Sequence, residues 1–584
     1  MLSFLETLTQ SPFLKRFAGL LVIFGLTVAV LISFPRFWQA SDPSQLQSGS
    51  LPEQSSVPQA QARTLRVGMN LNGIADRSTE IPFVDAFKSA RSWITQCDRR
   101  NDPGCQGKWN TKEADQLDLD PQGWVKSLPA PGDPPEFTQV TTLLRRGAEP
   151  YPGGQYLVLY DGEGTIQYDM DGEKDTAAST LGRDVLNVTP SAKGIKLTIT
   201  ATDPDRQGNY IRNIRVIPAQ YESTYQTEIF NPEFLDRIKP FKALRFMDWM
   251  ATNHSSQKTW GDRPKVEDAT YSRGKGVPLE VMAQLANQLQ ADPWFNMPHQ
   301  ATEDYIRNFA QMAKELIDPA LTLYVEYSNE VWNNQFGQTK WLAQNHPLGK
   351  QALYQAYGIQ SAQMCDTWKA VFGQDQQRVK CVMGTKTTNR WGAEQVLDCP
   401  KWEQAPCYKH GVDALAITAY FSGRLGKSDY EKTLESWIAD PQIDQFKMGL
   451  TQLKDGSVLD NPEDTTASLA ERFDYYSTIA KARGLELVIY EGGSHVVGDR
   501  QVKNNDRITQ FLIDLHRQPG FSDRYREMLN AWKDPEKTRT LFMHFSDISR
   551  PSKWGSWGAL EHVSQKNSPR YDALIEFVRQ TSAS

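Results

Sequence analysis

From Thr64 onward the chain repeats one arrangement: a short, nearly continuous apolar run, a polar or turn-prone ending, then a stretch with helical spacing. Eight such runs can be read: "LRVGMNLNG" from Leu65, "ALRFMDW" from Ala243, "PWFNMPH" from Pro293, "LTLYVEYSNE" from Leu321, "RVKCVMGTKT" from Arg378, "ALAITAYF" from Ala414, "LELVIYEGG" from Leu485 and "TLFMHFSD" from Thr540. Apolar residues at helical spacing predict helices over residues 83–95, 232–238, 278–290, 302–317 and 351–372. Strands apolar on both faces and alternating with helices predict an α/β fold with a parallel sheet, and eight of them a closed (β/α)8 TIM barrel. A doubly wound open sheet is the alternative, but its strands should be followed by a Gly-rich phosphate turn, and none is present.

Between residues 140 and 220 the texture changes. Short alternating runs, "QYLVLYD", "TIQYDMD", "GIKLTITAT" and "YIRNIRVIP", are broken by "GEG", "DGEKD", "PSAKG" and "DPDRQGN". Period-two alternation with frequent turn residues predicts a small all-β sandwich inserted after the first barrel strand. The expected division is an N-terminal anchor at 1–38, a Ser-, Gln- and Pro-rich linker at 39–63, barrel at 64–139, the insertion at 140–220, and barrel again at 221–584.

The anchor is read from "FAGLLVIFGLTVAVLISF", about 18 residues without a charge, preceded by Lys15 and Arg16. Trp38 stands where a cleaved signal peptide would need a small residue. The expectation is a membrane partner through an uncleaved transmembrane helix, with the rest exported; a secreted, cleaved form is the alternative. Cys97 with Cys105 and Cys399 with Cys407 each enclose a short polar loop and are expected to form disulfides, which suits export; Cys365 and Cys381 are left open, paired or free. A net charge of −6 without a basic run argues against a nucleic-acid partner. The eight histidines show no paired spacing, so neither a metal nor another cofactor is expected. Sixteen tryptophans exceed ordinary packing needs and suit sugar-ring stacking.

A parallel barrel builds its site from the C-terminal ends of its strands. The second strand ends on Arg245, Asp248 and Trp249, the third on Asn296 and His299, the fourth on Asn329 and Glu330, the sixth on Tyr420. The seventh ends on Glu491, followed by Gly492, Gly493 and His495. The eighth carries His544 and Asp547 and leads into "RPSKWGSWG", with Trp554 and Trp557. The Asn-Glu pair on strand four and the glutamate on strand seven together resemble the clan-A retaining glycoside hydrolases. "VEYSNE" also resembles them in placing Glu326 four residues before Glu330. One departure stands out: many members have proline after the Asn-Glu pair, and here Val331 follows it.

The resemblance implies that Glu330 is the acid/base and Glu491 the nucleophile, with the carboxyls roughly 5–5.5 Å apart for retention. It implies Asn329 on the sugar 2-hydroxyl, Tyr420 holding Glu491, and Trp554 or Trp557 as a stacking floor. Arg245 is expected to partner Glu326, or else to keep Glu491 ionised. Arg245, His299 and Trp249 are further candidates for substrate binding. The expected activity is retaining hydrolysis of a β-linked polysaccharide or oligosaccharide, with a cellulose-like glucan as the candidate substrate. The rivals are a non-catalytic carbohydrate-binding protein on the same barrel and a transglycosylase using the same glutamates.

Overall fold

The computed structural model describes residues 65–582 apart from 99–104, 106, 133, 273 and 534–537. The apolar run read as an anchor and the linker after it lie outside the described residues. Among the described residues no helix is long and apolar enough to cross a membrane.

Eight parallel strands close on themselves in chain order. They are β1 (Arg66–Asn70), β2 (Ala243–Arg245), β3 (Asp292–Met297), β4 (Leu323–Tyr327), β5 (Val379–Gly384), β6 (Val412–Phe421), β7 (Glu486–Ser494) and β8 (Arg539–Phe545). All eight apolar runs supply one strand each, and β8 returns to pair with β1. Of the five expected helices, four form, at Pro232–Ile238, Leu279–Leu289, Glu303–Leu316 and Leu353–Phe372. Asn231 and Thr302 cap two of them by accepting a backbone N–H, from Glu233 and Tyr305 respectively. The fifth expectation is corrected. Residues 83–95 hold only a 3-10 turn at Ala86–Ser89 and the start of a strand, Ile94–Gln96. Asp85 caps that turn on Phe87 N (2.9 Å) and also accepts from Val216 N (2.9 Å), tying the segment to a distant strand instead of letting a helix continue.

Between β1 and β2 lie two four-stranded antiparallel sheets. One runs Ile94–Gln96, Gln139–Leu144, Ile195–Thr202, Gly164–Met170; the other runs Gly172–Thr180, Arg183–Val188, Gly154–Asp161, Arg212–Pro218. The β-structure thus begins at Ile94 rather than near residue 140, because Ile94–Gln96 pairs with Gln139–Leu144. Val140 and Leu197 from one sheet and Val158 and Val216 from the other belong to the buried cluster that covers the barrel. Disulfides join Cys97 to Cys105 and Cys399 to Cys407, while Cys365 and Cys381 are buried and free.

Inside the barrel, Trp294, Tyr324, Tyr490, Leu541 and Met543 form a separate core with Ala243, Ala414 and Ala416. Large and small side chains interdigitate there, as a closed barrel of eight strands requires. Gly68 on β1 is one of the small positions: a Cβ there would lie 2.8 Å from Ala243 Cβ and closer still to Met543 Sδ. G68A should therefore destabilise the protein by about 1–3 kcal/mol through overpacking. Denaturant unfolding of the two proteins checks this, and equal midpoints would show that Met543 yields freely.

Candidate active site

The C-terminal mouth of the barrel centres on Arg245, the last residue of β2, which has no solvent exposure. Its Nη2 donates to Glu326 Oε2 (2.8 Å) and Asn329 Oδ1 (3.0 Å), its Nη1 to Glu491 Oε1 (2.8 Å) and Asn70 Oδ1 (3.1 Å), and its Nε to Glu326 Oε2 (3.3 Å). Trp294 and Tyr490 face the guanidinium at 5.4 and 5.2 Å from its carbon. Glu326 Oε2 accepts further bonds from Trp294 Nε1 (3.0 Å) and Asn296 Nδ2 (2.8 Å). Arg245 contacts the partners of both sequence alternatives, Glu326 and Glu491, with one guanidinium.

The chain leaves β4 through a strained turn. Ser328 and Glu330 both take positive φ, 58° and 42°, a region costing non-glycine residues about 1–3 kcal/mol each. Neighbouring elements fix this turn from several sides. Ser328 N donates to Met297 O (2.9 Å), Asn296 Nδ2 to Ser328 O (2.7 Å), and Gln338 Nε2 to Asn329 O (2.8 Å). The result points the Glu330 carboxylate into the mouth, where Tyr490 OH donates to Oε1 (2.7 Å) and Asn333 Nδ2 to Oε2 (2.9 Å). Val331, where the resembling family often has proline, is fully buried.

A second irregularity aims Glu491. In β7, Ile489 pairs with Ile417 and Glu491 with Thr418, so Tyr490 is skipped. Toward β8, Ile489 pairs with Phe542 and Gly492 with His544. One extra residue in β7 makes a bulge, which breaks the strict alternation of faces. Tyr490 and Glu491, adjacent in sequence, therefore both turn inward. Tyr420 OH, from the end of β6, donates to Glu491 Oε2 (3.0 Å).

Burial pushes the Glu491 carboxyl up from the usual value of 4.5 to about 8. Arg245 and the Tyr420 hydroxyl pull it down, while the Glu330 charge adds to the rise. Burial, then the neighbouring carboxylates, also raise the Tyr420 and Tyr490 phenols, which keeps both as donors.

The remaining expected site residues divide. Asn329 is buried between Arg245 and Asn253, donating from Nδ2 to Asn253 Oδ1 (3.2 Å). Trp557 is half-buried against Tyr420 (ring centroids 6.0 Å) and His495 (5.1 Å), so it borders the mouth. Trp554 is 61% exposed and takes part through its backbone, accepting from Trp557 Nε1 (3.0 Å). Trp249 is not at the mouth: it is wholly buried among Phe83, Phe234 and Phe246, with Nε1 on Glu80 Oε1 (3.2 Å). His299 is buried edge-on to Trp341 (5.5 Å), makes no hydrogen bond to either mouth carboxylate, and is drawn down to about 4 by burial and His254. His544 has both ring nitrogens engaged, with Tyr525 OH and Ser546 O, and serves as scaffold. Residues the sequence reading passed over are Asn70, Asn253, Asn333, Gln338 and Tyr490. Only Tyr490 carried a signal, as a bulky polar-tipped residue beside the strand-seven glutamate. Among the described residues no group of three or more His, Cys, Asp or Glu side chains is placed to hold a metal.

No family model and no curated protein matches the chain. Solved structures similar to it include the α-L-arabinofuranosidase of Thermotoga maritima in its arabinose complex, at 12% identity and TM-score 0.34 over 60% of this chain and 64% of that one. The GH51 arabinofuranosidase of Xanthomonas axonopodis pv. citri gives 12%, TM-score 0.35, and coverage of 60% and 66%. A GH10 endo-β-1,4-xylanase from Gloeophyllum trabeum gives 13%, TM-score 0.33, and coverage of 58% and 87%. The chain thus spans less than two thirds of the length of both arabinofuranosidases. A likeness this distant carries nothing about substrate or mechanism; those rest on the side chains above.

Removing the cation should expose what the centre depends on. R245M leaves Glu326 and Glu491 buried without their shared partner and should cost about 3–5 kcal/mol. Replacing both sides, as R245M with E326M, should recover part of that loss. Chemical denaturation of the single and double variants checks it; a double variant no more stable than R245M would contradict a charge-based penalty.

Proposed function

We propose that the protein is a retaining glycoside hydrolase acting on a β-linked polysaccharide or oligosaccharide. The observation that carries this reading is the convergence of Glu330 and Glu491, from β4 and β7, on one mouth, each carboxylate held by its own tyrosine hydroxyl. Glycosidic cleavage passes through an oxocarbenium-like transition state and needs two carboxyl groups in different states. Glu330 protonates the leaving oxygen as Glu491 attacks the anomeric carbon, giving a glycosyl-enzyme. Glu330 then takes a proton from the water that releases the sugar.

The surroundings suit this division. Burial disfavours the ionised form of Glu491 that attacks, and Arg245 and Tyr420 oppose this effect by directing positive and hydrogen-bonding character at the carboxylate. Among the described residues Glu330 has no cation on it and receives only neutral donors. On this reading the amide of Asn329, oriented by Arg245 and Asn253, meets the sugar 2-hydroxyl. Trp557 offers an aromatic wall beside the nucleophile's tyrosine. Among sugars, a cellulose-like glucan is the first substrate to try.

E491Q should lower turnover by several orders of magnitude, and a 2-fluoro-glycoside trap should label Glu491 in the wild-type protein. E330Q should be inactive on substrates with poor leaving groups but retain glycosylation of activated aryl glycosides. Labelling elsewhere, or full activity of E491Q, would overturn the assignment. Product stereochemistry followed by NMR should show retention; inversion would remove the covalent step.

The pH profile is a separate check. Attack requires Glu491 without its proton, and burial places that loss near 8. On the acid side, kcat/KM should therefore fall about ten-fold per pH unit, with its midpoint well above the ordinary carboxylate range. A midpoint near 4.5 would mean that Arg245 overrides burial completely.

A further inference from the structure

A cleft of about 760 Å³ opens beside the mouth, walled by the segments after β1, β2 and β8 and by the inserted sheets. Four arginines line it: Arg77, Arg91, Arg146 and Arg550. Arg91 pairs with Asp76 (2.6 Å) and Arg550 with Glu149 (3.4 Å). Arg77 and Arg146 are exposed, and their guanidinium groups have no ion-pair or hydrogen-bond partner among the described residues. The rim also carries Trp554, 61% exposed, with Lys503 Nζ 4.8 Å and Lys553 Nζ 5.4 Å from its ring centre. Asp248 also lines the wall, and burial raises it to about 6. In a chain of net charge −6, this concentration of cations runs against the average.

Two short connections join the cleft to the carboxylate pair. Asn72, in the wall, donates its backbone N–H to Asp547 Oδ1 (2.9 Å); Asp547 N donates to Asn70 O (3.0 Å), and Asn70 holds Arg245. On the other side Trp554 O accepts from Trp557, whose ring abuts Tyr420, the tyrosine on Glu491. Along these connections a saccharide with one ring at Glu491 extends toward Trp554 and the arginines.

We infer that this cleft is a subsite for an acidic sugar, a residue of the substrate bearing a carboxylate or a sulfate group. The inference rests on the glycosidase reading for its placement in a substrate chain. Planar guanidinium groups match carboxylate and sulfate oxygens two at a time, and an exposed tryptophan stacks on the ring that carries them. The same chemistry gives the inserted sheets a role, since Arg146 lies in the connection between their strands Gln139–Leu144 and Gly154–Asp161 and Arg91 in the segment that leads into Ile94–Gln96.

Binding can be read without turnover, so the two readings can fail separately. In the E491Q protein, an oligogalacturonate, a sulfated oligosaccharide of equal length and cellotetraose are titrated by calorimetry at low and high salt. An anionic probe should bind more tightly than cellotetraose and lose affinity as salt rises. R77A and R146A should each weaken that probe about ten-fold, and cellotetraose much less. R77K and R146K should recover part of the loss, which separates charge from local packing. Tighter binding of the uronate identifies a carboxylate substrate, and of the sulfated sugar a sulfate ester. Equal binding of neutral and anionic probes, or anionic binding untouched by both alanine variants, would overturn the subsite. Loss of turnover assignment to Glu491, with anionic binding intact, would instead overturn only the glycosidase reading.

Discussion

A guanidinium with no solvent contact, Arg245, lies between two carboxylates at the top of the barrel, and much of the surrounding structure serves to make that tolerable. Withdrawing an ion from water costs several kcal/mol, and attraction offsets it only when geometry is good and the remaining donors are satisfied. Here Nε, Nη1 and Nη2 all donate to side-chain oxygens, and two aromatic faces flank the group. The partners come from β1, β4 and β7 as well as the turn after β4, so the ion pair is satisfied only when the barrel has closed. Closure in turn holds Glu491 against a cation, which a solvent-exposed glutamate would not need.

The two carboxylates reach the same space by departures from regular strand geometry. Simple alternation would send Tyr490 and Glu491 to opposite faces of β7, yet the bulge turns both inward. After β4 the positive φ values at Ser328 and Glu330 bend the chain across the mouth instead of carrying it upward. Tyr490 then links the two departures, because its hydroxyl from β7 fixes the carboxylate delivered by β4. Each irregularity carries a conformational cost, and each is held by hydrogen bonds from neighbouring strands and helices.

The barrel was legible because its strands are buried on both faces and bounded by turn residues, a pattern that needs no partner information. Strand order followed from the alternation with helices. What escaped were elements whose partners decide their state. Gly172–Thr180 has no apolar residue larger than alanine and forms a strand by pairing with Arg183–Val188. Residues 83–95 had apolar residues at helical spacing, but Asp85 bonds across to Val216 and Ile94–Gln96 pairs with Gln139–Leu144. At the site, Glu330, Glu491, Asn329 and Tyr420 could be located because strand ends are countable. The roles of Asn70 and Asn253 could not, since an asparagine in a loop carries no sign of what it will bond. Trp249 shows the converse: proximity in sequence to Arg245 placed it near the mouth, and the turn after β2 carries it into the packing behind.

A barrel that only bound carbohydrate would have little reason to keep this centre. Sugar binding asks for aromatic faces and exposed hydrogen-bonding groups, which the rim supplies through Trp554, Trp557 and the arginines without help from the interior. Glu491, by contrast, is buried and held against its ordinary ionisation, and replacing such ion pairs by packed apolar residues is often neutral or stabilising. The strained turn at Glu330 adds a further cost that binding does not require. Costs of this kind collect where reacting groups must be aimed and their protonation tuned. On the proposed reading the two regions divide the work: a costly acidic centre for bond cleavage, and a cationic cleft beside it, lined partly by turns of the inserted sheets, for choosing which chain enters.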